Sequence, residues 1–322
     1  MALTAVRKSV AAIPQDNLII NGGFDFWQRG DSQTTSGYGS DDRWESWFYN
    51  TITGSNSKQE FTIGQTEVPG NPKYYSRTTI VAGTEVSDYG IKTHQVESVI
   101  ATAGKTLTLS FYAKADSSKN IAIEARQIFG TDGSSTVHRI ITETIALTSS
   151  WNKYEVTFDA PSISGKTVGE GSSLFIIFWL SAGTNWNAYN NSLPDQSITF
   201  DLAQVKLEYG EYATPFVPRP YTIEEMLCKR YYEHIYFSHI AMTASSTGNV
   251  FGWIPYVKKR AVPSVSYSDN GVYSPTYGWL TAESVVITPT NNYLIVEHLY
   301  AGVFVAEGSY LGVGNLYIDA EL

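Results

Sequence analysis

One stretch of the chain combines polar amides with large aromatic rings in a pattern that suits sugar recognition. Residues 181–191 contain four asparagines and two aromatic residues, and no aliphatic side chain among them is larger than alanine. A pyranose offers C–H faces that pack on aromatic rings and hydroxyls that bond to amides. Asn185, Trp186, Asn187 and Tyr189 are therefore candidate carbohydrate contacts. The same pattern also allows Trp186 to fold back over a core, and both alternatives are open.

A second group of aromatic residues lies near the C-terminus. Tyr267, Tyr273, Tyr277 and Trp279 flank the predicted turn at residues 269–271. Binding residues concentrate on loops that a rigid scaffold holds in place, so Tyr273 and Tyr277 are also candidate carbohydrate contacts. The alternative is burial at subunit contacts, where Tyr and Trp are enriched as well.

The residue types needed for catalysis are not grouped along the chain. A glycosidase needs two carboxylates on either side of the scissile bond, but the neighbours Asp41 and Asp42 point to opposite faces of an extended segment. The five histidines occur in unrelated contexts, and the sequence contains no G-x-S-x-G, P-loop or dinucleotide motif. The sequence predicts a binding protein and not an enzyme.

The amino-acid composition argues against several classes of ligand and site. The 322 residues carry a net charge of −9 with only 16% charged residues, which argues against nucleic acid and anionic membranes as ligands. The single cysteine, Cys228, excludes a disulfide framework and a thiolate zinc site, and it is expected to be buried. The N-terminal residues are too polar for a membrane span or a signal peptide, so we expect synthesis in the cytoplasm.

The polar–apolar alternation predicts a mostly β protein. Residues 105–113 and 154–158 alternate clearly, and about ten short strands separated by turn clusters are typical of a jelly-roll β-sandwich. The first strand is predicted at Asn17–Ile20. Trp44, Trp47 and Tyr49 lie in an alternating strand and are expected to be core and sheet-face residues, in preference to sugar contacts.

A proline-rich segment followed by a helix separates two β regions. Pro215, Pro218 and Pro220 stop any regular element, and Thr222 with Glu225 has the spacing of a capping box. The predicted helix buries a face that carries, among others, Ile223 and Met226. The predicted domains are an arm (1–16), a jelly roll (17–213), a linker with the helix (214–237) and a small C-terminal β-sandwich (238–322). The last has hairpin turns at 269–271 and 291–292, and its thin core favours association with copies of itself.

Several strings resemble a known group of proteins. Residues 17–25 (NLIINGGFD) and 200–208 (FDLAQVKLE) resemble the opening and closing strands of carbohydrate-binding-module-like jelly rolls. The strings FDFWQRG (24–30), DRW (42–44), QVKLEYG (204–210) and CKRYYE (228–233) resemble bacteriophage tail-fibre and virion-appendage proteins. The resemblance extends over residues 17 to 235 and, through KRAVP (259–263), loosely into the C-terminal region.

The resemblance implies a homotrimeric virion adhesion protein, a tail fibre or receptor-binding protein. Such a protein recognises a bacterial surface polysaccharide without catalysis. Residues 1–16 are predicted to be an arm, and docking on another virion protein and a frayed terminus are both open for it. Such a protein is located on the virion, at the tail or the head. The alternatives are a structural decoration or connector protein of the particle and a glycan depolymerase.

The resemblance also bears on metal binding. Some members of the wider module family hold a structural calcium between the first and last strands, and Asp25 and Asp201 match its acidic positions. Leu202 replaces the second acid of the closing pair, although calcium takes six or more oxygens. The alternatives are capping of turns and pairing with Arg29. Structural calcium at Asp25 and Asp201 is thus one of the open alternatives, and no cofactor is required.

Overall fold

The computed structural model describes residues 17–246, 249–274, 278–280, 284–289, 293–299 and 309–321. The predicted arm at residues 1–16 lies outside the described residues. The described chain is mostly β, as predicted, and its sheets are antiparallel. Among the residues that the structure describes, no helix has the length and apolar character needed to cross a membrane.

Eleven strands form the first two sheets. Their bounds are β1 Ser32–Gln33, β2 Trp44–Tyr49, β3 Thr53–Glu60, β4 Tyr74–Val81, β5 Tyr89–Glu97, β6 Thr106–Ala115, β7 Lys119–Ile128, β8 Val137–Leu147, β9 Asn152–Asp159, β10 Ser173–Ala182 and β11 Ile198–Tyr209. One sheet has six strands in the order β1-β3-β4-β11-β6-β9, and the other has five in the order β2-β5-β10-β7-β8. Helix α1 (Val99–Thr102) follows β5.

The two sheets pack face to face through aromatic side chains. Phe178 of the five-stranded sheet lies 5.2 Å from Phe111 and 6.0 Å from Phe200 of the six-stranded sheet, measured between ring centroids. All three side chains are fully buried. Alternate residues of each strand therefore fill the core, and the residues between them form the outer faces.

The predicted strand at Asn17–Ile20 is wrong. The segment adopts turns and docks on β11 through Asn17, whose side chain accepts from the backbone N–H of Leu207 (3.0 Å) and donates to the carbonyl of Val205 (2.9 Å). Asn21 follows with φ of 56°. This left-handed residue turns the chain away before a ladder can form.

The helix is present but begins differently from the prediction. Helix α3 spans Tyr221–Lys229, and Pro220 precedes it without a side-chain cap, so Thr222 lies in the first turn and forms no capping box. Cys228 is buried, as expected, whereas Ile223 is 49% and Met226 58% exposed. The buried side of the helix carries Glu224 and Cys228 instead.

The described chain separates into two compact units. The first comprises Met1–Asp25, Gln33–Gly37 and Glu45–Arg219, and the second comprises Phe26–Ser32, Tyr38–Trp44 and Pro220–Leu322, each in its described part. The domain boundaries inferred from the sequence stay a prediction.

The C-terminal strands form one sheet. Their bounds are β12 Tyr232–Ser246, β13 Asn249–Pro255, β14 Ser264–Ser274, β15 Gly278–Leu280, β16 Ser284–Pro289, β17 Tyr293–Leu299 and β18 Ser309–Asp319, in the order β15-β14-β18-β12-β13-β17-β16. The described strands of this region thus share one hydrogen-bonded sheet, and the small C-terminal β-sandwich stays a prediction. Residues 269–271 form a bulge within β14 and not a hairpin turn, because β14 continues along β18 on both sides. The turn predicted at 291–292 lies outside the described residues.

Candidate functional site

The asparagine-rich segment folds over the outer face of the five-stranded sheet. It forms a 3₁₀ turn at Thr184–Trp186 and helix α2 at Asn187–Asn190, and Asn191 ends the helix with a left-handed φ of 53°. Leu193 then packs on the outer face in a cluster that includes Ile177 and Trp179. The segment is therefore a fixed element of the sheet surface.

The sequence leaves open whether Trp186 contacts a ligand or folds back over the core, and the structure shows features of both. Its ring is half-buried, and its indole N–H donates to the carbonyl of Ser87 at 2.9 Å. Ring centroids lie 5.0 Å away at Tyr89 and 5.8 Å away at Trp179. Trp186 is anchored to the sheet and leaves part of its surface exposed.

Trp186 is one member of a larger group of rings. Tyr49 and Tyr89 stack at 4.7 Å with an interplanar angle of 10°, and Trp186 lies 6.2 Å from Tyr189. We call the group the aromatic face: Trp47, Tyr49, Tyr89, Phe175, Trp179, Trp186 and Tyr189. Strand alternation places Trp47 on the same side of β2 as Tyr49. These two are 37% and 47% exposed, so their rings are open to a ligand.

A buried carboxylate organises one end of the aromatic face. Glu124 of β7 accepts from Arg126 at 2.7 Å through both Nε and Nη2, and from the indole N–H of Trp179 at 2.9 Å. The Arg126 guanidinium lies 5.4 Å from the centroid of the Tyr189 ring. Since a bidentate pair restricts both partners, the guanidinium and the rings hold each other in place.

A second carboxylate lies at the other end of the face. Glu45 is buried and accepts from the side-chain amide of Gln95 (3.2 Å) and from the Trp47 indole. The other amide atom, Gln95 Oε1, accepts from the Ser173 hydroxyl at 3.0 Å. The exposed indole of Trp47 is thus oriented by hydrogen bonds.

A hydrogen-bonded turn supports the loops beside the aromatic face. The Asp88 carboxylate accepts from the Asn50 amide (2.8 Å) and from the backbone N–H groups of Thr84 and Glu85 (both 2.8 Å). Burial acts to raise the pKa of Asp88, but hydrogen bonds from Thr51 and the other donors outweigh it and lower the pKa to about 2. A Cβ at Gly83 would meet Asp88 Oδ2 at 1.9 Å, so only glycine fits there.

A groove of about 560 Å³ runs beside the same segment. It is lined by residues 82–86, 182–184, Asn187 and 192–195. Of the predicted contacts in this segment, Asn187 therefore faces the groove, Trp186 and Tyr189 belong to the aromatic face, and Asn185 is exposed. The structure brings two of the four together, and their predicted roles stay predictions.

The two C-terminal candidates cannot be placed in a site. Tyr273 lies in β14, opposite Trp279 of β15 and Leu311 of β18. Tyr277 lies outside the described residues. Their roles as carbohydrate contacts stay predictions.

The surroundings of Asp201 do not fit a calcium ligand. Both carboxylate oxygens accept from Arg77, at 2.7 and 2.8 Å, and Lys114 Nζ lies 3.8 Å away. These cations already supply the positive charge that a metal would bring. Asp25 is exposed, and within the described ranges no three His, Cys, Asp or Glu side chains are grouped to hold a metal ion.

Asp41 and Asp42 form a buried turn. The N–H of Trp44 donates to the carbonyl of Asp41 at 3.2 Å, and Asp42 accepts from the backbone N–H of Gln28 at 2.9 Å. Burial raises the pKa of Asp42 to about 6. Trp44 itself is fully buried, as expected.

Sequence reasoning missed the charged residues of the aromatic face. Glu124 and Arg126 are two residues apart on β7, between the core residues Ile123 and Ala125. A Glu-x-Arg pair on the polar side of an alternating strand was the available signal. The rings that join it come from distant segments, which no local pattern connects.

Comparison with known proteins gives fold neighbours at low similarity. No protein-family model and no curated protein matches the sequence. Among solved structures, a family 4 carbohydrate-binding module (CBM4) is 20% identical, covers 60% of this chain and 99% of its own, and has a TM-score of 0.36. The family 11 carbohydrate-binding module from Clostridium thermocellum, solved with a mixed-linked tetrasaccharide, is 15% identical, covers 55% and 95%, and has a TM-score of 0.34.

A third neighbour is the enzymatically active domain of tailspike protein 4 from bacteriophage CBA120. It is 12% identical, with a TM-score of 0.35, and the match covers 60% of this chain but 21% of the tailspike chain.

Proposed function

We propose that the protein binds carbohydrate on the aromatic face without chemical conversion. The observation that carries this proposal is the row of partly exposed rings, Trp47, Tyr49, Tyr89 and Tyr189. The buried Glu45 bonds to the Trp47 indole, Tyr49 stacks on Tyr89, and the buried Glu124 fixes Arg126 beside Tyr189. Fixed rings contribute contact area at a low cost in conformational entropy, and the amides and guanidinium beside them bond to hydroxyls.

The carboxylates of the face support binding over catalysis. Glu124 is committed to Arg126 and Trp179, and Glu45 to Gln95 and Trp47. A glycosidase acid must be free to give its proton to the leaving oxygen. Assays for reducing ends released from capsule or lipopolysaccharide should therefore stay negative, and release by the purified protein would contradict this part.

We propose further that the ligand is a bacterial surface polysaccharide and that the protein acts as a trimeric virion adhesin. The supporting observation is the sequence resemblance of residues 17 to 235 to tail-fibre and appendage proteins. Weak sites on three copies would act together through avidity. The N-terminal arm would attach the protein to another virion component, at the tail or the head.

The test of sugar binding is a glycan array with matched variants. Trp47→Ala and Tyr49→Ala should each lower the signal about tenfold, because stacking on one ring is worth about 1 kcal/mol or slightly more. Tyr212→Ala is the control, since Tyr212 is 78% exposed and does not belong to the aromatic face. Equal signals from all three variants would exclude the aromatic face as the site.

The virion role has its own tests. The mass in solution should be that of a trimer, and a monomer would contradict the proposed assembly. Removing residues 1–16 should block incorporation into particles and leave binding of the free protein to cells unchanged. If the protein that lacks residues 1–16 no longer binds cells, a connector role is favoured instead.

A further inference from the structure

The end of the aromatic face near Tyr189 carries two arginines and one carboxylate. Arg126 and Arg139 have their guanidinium carbons 5.4 and 5.6 Å from the Tyr189 ring centroid. Glu124 is fully buried and accepts two hydrogen bonds from Arg126. The charge of Arg126 is therefore balanced inside the protein.

The positive charge of the Arg139 guanidinium is not balanced by a carboxylate of the described residues. Arg139 is exposed, and over the described part of the chain no carboxylate lies within ion-pair distance of its guanidinium. Its one polar side-chain contact is a long approach of Nη1 to the carbonyl of Ala188, at 3.5 Å. One positive charge is thus left beside the partly exposed ring of Tyr189.

The backbone holds Arg139 in an uncommon conformation. Its φ is +54°, and it lies in β8 where the pairing with β7 shifts register between Ala125 and Gln127. Its N–H donates to Glu124 Oε1 at 3.3 Å, so the same buried carboxylate that fixes Arg126 also positions Arg139. Bulges with left-handed residues re-aim side chains and are common beside functional sites.

The neighbouring His138 reports the local charge. Its ring lies 5.5 Å from that of Tyr189. Burial and the positive charge of Arg126, with a further contribution from Arg139, lower the pKa of His138 despite the opposing charge of Glu124. The net field at this end of the aromatic face is therefore positive, in a protein whose total charge is −9.

We propose that Arg139, Arg126 and Tyr189 form a subsite for an acidic sugar, a residue that carries a carboxylate or a sulfate. The sugar ring packs on Tyr189, and its anionic group pairs with the Arg139 guanidinium, whose planar donors match such groups. This inference rests on the proposed function and names the substrate class. The overall negative charge of the chain repels polyanions at long range, so discrimination depends on this local pair.

The test compares polymers that differ in charge but share a backbone. The probes are polygalacturonate against highly methyl-esterified pectin, and carboxymethylcellulose against hydroxyethylcellulose, in affinity electrophoresis at moderate salt. We expect stronger retardation by the acidic member of a pair. Arg139→Gln should weaken binding to that member about tenfold, the value of one charged hydrogen bond, and change binding to the neutral member less than about twofold. Arg139→Lys should retain part of the difference.

Lys114→Gln is the matched control, because it removes the same charge from the outer face of the other sheet, where Lys114 lies 3.8 Å from Asp201. It should leave retardation unchanged. Loss of retardation in both variants would mean non-specific attraction and would overturn the subsite. Failure of every acidic polymer to retard the wild-type protein more than its neutral partner would also overturn it.

A spectroscopic readout separates the subsite from a structural role of Arg139. An anion bound at Arg139 stabilises the imidazolium of His138, so the pKa of His138 measured by NMR should rise when trigalacturonate is added and stay constant with a neutral oligosaccharide. No rise on saturation would contradict the proposal.

Trp47→Ala distinguishes failure of this inference from failure of the proposed function. If this variant weakens binding to neutral and acidic polymers alike while Arg139→Gln has no effect, sugar binding stands and the acidic subsite is wrong. If Arg139→Gln acts and Trp47→Ala does not, the anion subsite stands and the wider aromatic face is not the site.

Discussion

The outer faces of the two sheets of the first unit are built from the same kinds of residue. On the six-stranded sheet, Asp201 pairs with Arg77 at 2.7 and 2.8 Å beside a cluster of Phe61, Tyr75 and Trp151. The rings of that cluster are 4.7 to 5.3 Å apart. On the five-stranded sheet, Glu124 pairs with Arg126 beside the aromatic face.

The two faces differ in what covers them. On the six-stranded sheet, residues 61–73 fold over the rings and bury Val68 completely, and Gln204 Nε2 donates to the carbonyl of Pro69 at 2.7 Å. The proline segment covers the other end. The backbone N–H of Thr214 donates to Glu208 Oε1 of β11 at 2.8 Å, and Lys206 Nζ of β11 donates to the carbonyl of Pro215 at 3.4 Å. On the five-stranded sheet the covering segment stops short of Trp47 and Tyr49.

The two faces also differ in how their charged side chains are paired. Two cations of the six-stranded face contact Asp201, since Lys114 lies 3.8 Å from it and Arg77 bonds to it directly. On the five-stranded face Glu124 receives only one guanidinium. Rings and ion pairs of similar composition are thus covered on one face and leave exposed rings and the Arg139 guanidinium on the other.

Replacing one tryptophan on each face is expected to have the largest effect. Trp151→Ala removes a ring that is 8% exposed and should lower the free energy of unfolding by about 3 to 5 kcal/mol without changing sugar binding. Trp186→Ala removes a half-buried ring and should cost roughly half as much but weaken sugar binding. Urea unfolding and binding measurements on both variants test this. Loss of binding in folded Trp151→Ala would remove the functional difference between the faces.

Neutralising the two buried carboxylates should have the next largest effect. Glu124→Gln and Asp201→Asn each leave an arginine without its anion and should destabilise by roughly 2 to 3 kcal/mol, reduced from a fully buried pair because both arginines are partly exposed to water. Only Glu124→Gln should also weaken sugar binding, since it frees Arg126 and Arg139. Equal binding by the two variants at a temperature where both are folded would contradict this expectation.

A smaller effect is expected from the stacked pair at the open edge. Tyr89→Leu keeps apolar volume but removes the ring on which Tyr49 stacks, and should lower stability by about 1 kcal/mol and affinity severalfold. Tyr75→Leu on the six-stranded face is the counterpart and should change stability alone. Urea unfolding measures the stability of both variants, and calorimetric titration with a glycan that binds the wild-type protein measures their affinity.

Protonation of Asp88 at low pH should destabilise the loops beside the aromatic face. The folded-state pKa of Asp88, about 2, is below the usual aspartate value of 3.8, so ionised Asp88 adds stability that is present above pH 4 and lost as the pH falls through 2. Asp88→Asn should flatten the dependence of the thermal midpoint on pH between 4 and 2. An unchanged slope in that range would show that the carboxylate does not control the loop.

Local patterns were sufficient for most of the fold. Strict alternation placed β6 and β9 to within a residue or two, because a strand with one buried face must repeat with a period of two. The prolines and the buried Cys228 marked the helix region correctly. The first strand and the capping box were wrong because Asn21 and Pro220 turn the backbone in ways that side-chain polarity does not reveal.

The amino-acid sequence by itself therefore determined that the chain is mostly β and where its clearly alternating strands run. Only the tertiary structure decided which sheet face stays open. Tyr49, Tyr89, Trp186 and Arg139 are distant in sequence and meet through strand pairing and loop docking. Exposure depends on which distant segment covers a ring, and that is a property of long-range packing, which the identity of the ring does not encode.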